Sequence, residues 1–188
     1  LNKLRQIANH PVLIKPEFAE TSGKFEEITR NIENLISEKH KVLIFSAYVK
    51  HLNLFATYLD KNKHKYSMLT GQTRKREETI TEFQNADDQF VFLIQIKAGG
   101  VGLNLTSADY VFIIDPWWNP AVEEQAINRT HRIGQDKKVI VYRFISSETV
   151  EEKIQELKAR KSKLADSFIN TEKAVEKLSL NKILEFLK

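Results

Sequence analysis

Residues 97–104, KAGGVGLN, place three glycines in four positions directly after the apolar run at 90–94. Glycine lets a backbone come close to a ligand and turn its N–H groups toward an anion, which makes Gly102 a candidate phosphate-facing position. A tight strand-to-helix turn has the same composition, and the loop by itself leaves both open. Gly100 and Gly102 do not extend to GxGxxG, because Leu105 fills the third position; this speaks against a dinucleotide fingerprint.

A second constellation is Gln125, Arg129 and Arg132 in the run QAINRTHRIGQ. Steps of four and three put these side chains on one helical face, so two guanidiniums project together with an amide beside them. Permanently charged, forked arginines suit phosphate oxygens, while a solvated helix face is the plainer alternative. His131 points elsewhere and reads as structural. The five histidines show no metal-ligand spacing, and no metal site is expected.

What is missing narrows the chemistry further. GxxxxGK[ST] does not occur: the Gly23-Lys24 pair has Phe18 and Phe25 where the loop needs Gly and Ser or Thr. There is no Asp-Glu dipeptide to hold magnesium and no GxSxG elbow for a hydrolase triad. By itself the chain cannot assemble the nucleotide site those motifs build.

The elements that must position these residues follow from patterning. Phe25, Ile28, Ile32, Leu35 and Ile36 predict an amphipathic helix, and Val42–Phe45 a buried strand. Helices are expected around Leu52, Phe55 and Leu59, from near Thr73, and from near Pro120. Strands are expected at 66–69, 90–94, 110–114 and 139–144. Strands alternating with helices imply an α/β fold with a parallel sheet covered on both faces. From Thr149 a capping pair with Glu152 opens a long helix bearing Val150, Ile154, Leu157, Leu164 and Phe168, and a second helical stretch runs from Val175 to Leu187.

The 188 residues suffice for one compact domain with an appendage. Lys+Arg 29 against Asp+Glu 25 gives a mild excess of +4, which permits an anionic partner without requiring one. The absence of cysteine excludes disulfides, cysteine-ligated zinc, iron–sulfur clusters and thiol nucleophiles. Apolar runs fall far short of the ~20 residues of a membrane helix, so no membrane partner is expected. With neither an initial methionine nor a signal peptide, the chain reads as an excised piece of a longer, intracellular protein.

The runs LRQIANHP at 4–11, SGKFEEI at 22–28, KVLIFS at 41–46, KAGGVGLNL at 97–105, DPWWNP at 115–120 and QAINRTHRIGQ at 125–135 stand in an order and spacing that resemble the C-terminal helicase lobe of Swi/Snf-family DNA translocases. In style it resembles a bacterial member. The resemblance implies a RecA-like second lobe at 21–147, a lead-in from the preceding lobe at 1–20, and a C-terminal helical brace at 148–188. It implies that ATP and Mg2+ are bound mainly by a first, N-terminal RecA-like lobe of the same protein, and that duplex DNA is the partner. Arg132 is then the arginine finger, with Arg129 beside it and Gln125 supporting the nucleotide. Ser46, Thr70, Gly71, Lys97 and Trp118 fall at positions resembling the strand-contacting or coupling motifs, and a cytoplasmic, nucleoid-associated location follows.

Trp117 is expected to pack in the core or cleft wall. Departures from the family pattern are Ala8 for Cys, Ala47-Tyr48 for Gln-Phe, and Gln95-Ile96 for smaller hydroxyl-bearing residues. The competing function is a non-enzymatic nucleic-acid or protein binding module that has lost its motor partner. An RNA helicase is disfavoured by DPWWNP and RIGQ. The basic runs at 61–65, 74–76 and 158–163 fit either a nucleic-acid path or solvated faces.

Overall fold

A computed structural model of the chain describes residues 1–98, 105–117, 119–128 and 139–159. The residues group into two compact units, Leu1–Glu152 and Lys153–Lys188, and the sheet and its helices belong to the first. That unit runs α1 (Asn2–Asn9), a 3-10 turn (Pro11–Leu13), α2 (Gly23–Ser37), β1 (Val42–Ser46), α3 (Val49–Lys61), β2 (Lys65–Leu69), α4 (Arg76–Asn85), β3 (Gln89–Gln95), β4 (Tyr110–Ile113), α5 (Pro120–Ile127) and β5 (Ile140–Arg143). A further helix opens at residue 150 and is described through residue 159.

The five strands form one sheet in the order β2-β3-β1-β4-β5, every pair parallel. Two-residue alternation sorts its side chains. Leu43, Phe45, Phe92, Ile94, Val111 and Ile113 face α4 with Ile80 and Phe83, whereas Val42, Ile44, Val91, Leu93, Phe112 and Ile114 face α2 and α3 with Ile28, Ile32, Leu52, Phe55 and Leu59. Burial on both faces is why β1 and β3 read as unbroken apolar runs rather than alternating ones.

One predicted start moves. α4 begins at Arg76 rather than near Thr73, because Thr73 closes a turn: its N–H donates to the Thr70 carbonyl at 3.2 Å and its hydroxyl accepts the Thr70 N–H at 2.9 Å. The helix from residue 150 opens where expected, with Thr149 as its cap. The Glu152 carboxylate accepts the N–H of Glu148 at 2.8 Å, while the Thr149 hydroxyl accepts that of Glu151 at 3.1 Å and donates to the Ser146 carbonyl at 2.7 Å. The second helical stretch expected from Val175 lies outside the described residues, as do Leu164 and Phe168.

Candidate functional site

β1 lies between β3 and β4, which the chain reaches from opposite directions. In an open parallel sheet the crevice beyond the strand ends at such a switch point is where ligands bind, because the connections diverge there and leave backbone ends uncovered. Here those ends are Ser46, Gln95 and Ile113, followed by the turns at 47–48, 96–97 and 114–117.

Asp115 organises this end. It is almost wholly buried, and its carboxylate accepts the Ser46 hydroxyl at 2.5 Å and the Ala47 N–H at 2.9 Å. The Ser46 oxygen in turn accepts the Tyr48 N–H at 3.0 Å. The turns after β1 and β4 are thereby tied together. Burial alone would raise the Asp115 carboxyl, but the neighbouring His51, and after it the bonds from Ser46 and Ala47, hold it below the ordinary carboxylate range.

His51, fully buried, has its Nδ1 at 3.6 Å from Asp115, just beyond hydrogen-bond range. Burial drives its pKa down despite the attraction of Asp115, so the imidazole stays neutral near pH 7. Serine, histidine and aspartate do meet here, yet they do not form a nucleophilic triad. The hydroxyl donates to the carboxylate rather than to the imidazole, and none of the three is exposed to a substrate.

The predicted contact residues surround this anchor. Ser46 is fully buried and its hydroxyl is committed to Asp115 and Tyr48. Gly71 is exposed after β2, and its N–H donates to Gln95 Oε1 at 2.9 Å, so Gln95 joins the ends of β2 and β3. The Thr70 hydroxyl oxygen accepts the Gln72 N–H at 3.2 Å and shapes the same loop. Lys97 is exposed, with Nζ 5.7 Å from the centre of the Trp117 ring. Trp117 is half-buried and packs on the core cluster beneath. Gln125 is exposed on α5. Gly102, Trp118, Arg129 and Arg132 lie outside the described residues, as does His131.

Glu123, buried in the first turn of α5, accepts the Trp117 N–H at 2.6 Å and lies 3.6 Å from Arg143 Nε on β5. It seats the helix that carries Gln125 against the turn that Asp115 anchors.

Asp115, His51 and Glu123 are the residues that sequence reasoning passed over, and Gln95 appeared there only as a departure from the family pattern. Signals existed for two of them. Asp115 ends an apolar strand and precedes a proline, and His51 shares the helical face of Leu52, Phe55 and Leu59. Among the basic runs, Lys65 pairs with Asp88 and Lys75 with Glu78, on solvated faces. Among the described residues no group of three acidic or histidine side chains converges as a metal site would require.

Residues 23–134 match the family described as the helicase conserved C-terminal domain. The chain is 41% identical over 145 residues to the chromatin-remodeling ATPase INO80 of Homo sapiens, covering 76% of this chain and 9% of that protein. It is 42% identical over 145 residues to the DNA repair protein RAD5A of Arabidopsis thaliana, covering 76% and 14%. An uncharacterized ATP-dependent helicase of Schizosaccharomyces pombe is 41% identical over 182 residues, 94% of this chain and 17% of that one. The chain thus spans less than a fifth of the length of these relatives.

Among solved structures, the Sulfolobus solfataricus SWI2/SNF2 ATPase core domain superposes with a TM-score of 0.75 at 36% identity, covering 89% of this chain and 35% of that one. The C-terminal part of the Fun30 ATPase domain gives 0.70 at 31%, covering 83% and 53%. With its RecA-like parallel sheet and these relatives, the chain belongs to the helicase conserved C-terminal domain family, as a member of the Swi/Snf group.

Proposed function

We propose that this domain is the second motor lobe of an ATP-dependent translocase on duplex DNA. A first lobe of the same protein supplies the phosphate loop, the acidic box and most contacts to ATP and Mg2+. The observation that supports this reading is the grouping at the strand ends: exposed Lys97 lies beside the turn that Asp115 anchors, and Glu123 ties to that turn the helix whose sequence runs on through Gln125 to Arg129 and Arg132. Arg132 acts as the arginine finger, Arg129 reinforces it, and Gln125 with the backbone at Gly102 supports the nucleotide. Positive charge placed where negative charge accumulates on the transferring phosphoryl group is the main source of acceleration in such reactions.

Lys97, Thr70, Gly71 and Trp118 face the DNA backbone in this reading. Ser46, sealed against Asp115, supports the turn instead of touching a strand. Relatives described as a chromatin-remodeling ATPase and a DNA repair protein support a DNA-associated role, which for a bacterial member means the cytoplasmic nucleoid. Among the described residues no helix is long and apolar enough to cross a membrane.

The test is steady-state ATP turnover of the full-length protein with and without duplex DNA. Turnover that rises with duplex DNA and responds less to single-stranded RNA is expected. A full-length protein without DNA-stimulated turnover would instead be the binding module.

A further inference from the structure

The run LRQIANHP is one of the six that carry the family resemblance but takes no part in the chemistry above. Its one permanently charged residue is Arg5. α1 is inverted relative to an ordinary surface helix: Leu4 is 57% exposed and Ile7 45%, while Arg5 is 5% exposed and Asn9 fully buried. Removing a guanidinium from water is costly unless the burial is matched by partners, so what Arg5 meets is informative.

Arg5 Nη2 donates to the carbonyl of Pro116 at 2.6 Å, across 111 residues of sequence. Its guanidinium lies 5.5 Å from the centre of the Tyr48 ring and 5.6 Å from that of Trp117, both within cation–π range. Tyr48 belongs to the turn after β1 and Pro116-Trp117 to the turn after β4, the two that Asp115 also joins. Trp117 is shared in turn with Lys97, the exposed cation of the same strand ends, and its N–H is held by Glu123 of α5. One buried guanidinium therefore underlies a ring that touches the DNA-side lysine and a backbone that seats the nucleotide-side helix.

We propose that Arg5 is a positioning residue for ATP turnover: it fixes the 115–117 turn, and through that turn it holds the start of α5 and the Lys97–Trp117 pair in one register. This rests on the reading of the domain as a motor lobe. Arg5 touches neither nucleotide nor DNA; it sets the geometry of residues that do. Its loss leaves the binding surfaces present but misaligned during turnover, so the effect falls on kcat at saturating DNA and not on the KM for ATP.

The experiment uses the full-length protein and compares wild type, Arg5→Met and Arg5→Lys. Measurements are turnover against ATP at saturating duplex DNA, DNA affinity, and melting temperature. A misplacement of this kind can cost about 10²-fold in rate, and Arg5→Met is expected to lose kcat on that order, with KM and DNA Kd within about twofold of wild type. Arg5→Lys keeps the charge but not the planar fork, so it should recover only part of the rate. It is also the decisive variant if Arg5→Met does not fold.

Wild-type kcat in a folded variant overturns the proposal. So does a loss in which KM, Kd and melting temperature worsen together, since that is what a merely structural residue would produce. Absence of DNA-stimulated turnover in the wild type is a separate outcome, which removes the motor-lobe reading, and this proposal with it, before any variant is compared.

Discussion

At the scale of single residues, the proposed arginine finger Arg132 and the buried His51 each carry a test, one of chemistry and one of stability. An arginine finger typically contributes about 10³- to 10⁵-fold to turnover, far more than the loss of an exposed structural arginine would produce. Arg132→Ala in the full-length protein should therefore abolish DNA-stimulated ATPase while melting temperature and DNA affinity stay near wild type. Arg132→Lys should restore little, because an ammonium lacks the fork that grips two phosphate oxygens. Steady-state turnover at saturating DNA checks both.

His51 predicts a pH dependence of stability. It is fully buried beside Asp115, and burial lowers its pKa from 6.5 despite the attraction of that carboxylate. Between that lowered pKa and 6.5 the unfolded chain takes up a proton that the folded one refuses. Stability is therefore complete above 6.5 and falls with acidification by up to about 1.4 kcal/mol per pH unit. His10, also lowered by burial, acts in the same direction. Asp115, held below 3.8, contributes above that pH and loses its contribution only under stronger acid. Urea unfolding of the domain from pH 7.5 to 5.5 should show the decline, and His51→Gln should flatten it to the share of His10.

Among the elements, α1, α2 and the start of the helix from residue 150 meet in a polar junction. Lys24 Nζ, in the first turn of α2, reaches Glu151 at 2.7 Å and Asn9 Oδ1 at 2.8 Å, with both members of the ion pair almost without exposed surface. Nearby, the Ser146 hydroxyl donates to the Ala8 carbonyl at 2.7 Å. Burial lowers the Lys24 pKa, and the attraction of Glu151 offsets part of that.

For such a pair, removing one partner leaves a buried charge unmatched, at a cost of about 3–5 kcal/mol, whereas replacing both with apolar groups of similar volume is often nearly neutral. Glu151→Ala should lose stability in that range, and the double variant Lys24→Met, Glu151→Leu should recover most of it. Equilibrium urea denaturation measures both, and equal losses in the single and double variants would show that the pair contributes more than its mutual neutralisation.

At the scale of the whole domain, the proposed motor lobe would be half of a machine. Without a phosphate loop or acidic box in the sequence, the 188 residues alone should turn over ATP no faster than a buffer control. Their grip on DNA should be weak, indifferent to sequence and steeply reduced by salt, because lysine contacts to phosphate release counterions and read no bases. Titration of the domain with two unrelated duplexes at 50 and 200 mM salt checks this; tight, selective binding that survives the higher salt would contradict it.

Most of the architecture was legible along the chain. The three- and four-residue steps of α2 and α3 and the unbroken apolar runs of β1 and β3 are local consequences of burying one helix face or both sheet faces, and the six motif runs carried the family. The switch-point anchor was not legible. Ser46, His51 and Asp115, or Arg5 and Pro116, become partners only when strands from distant parts of the chain lie side by side, and no local pattern marks a polar residue for a partner 69 or 111 positions away. Sequence patterning determines which faces are apolar and hence which elements form. Which buried charge meets which backbone turn is decided by the parallel sheet, because only its strand order and register bring the ends of β1 and β4 within hydrogen-bonding distance.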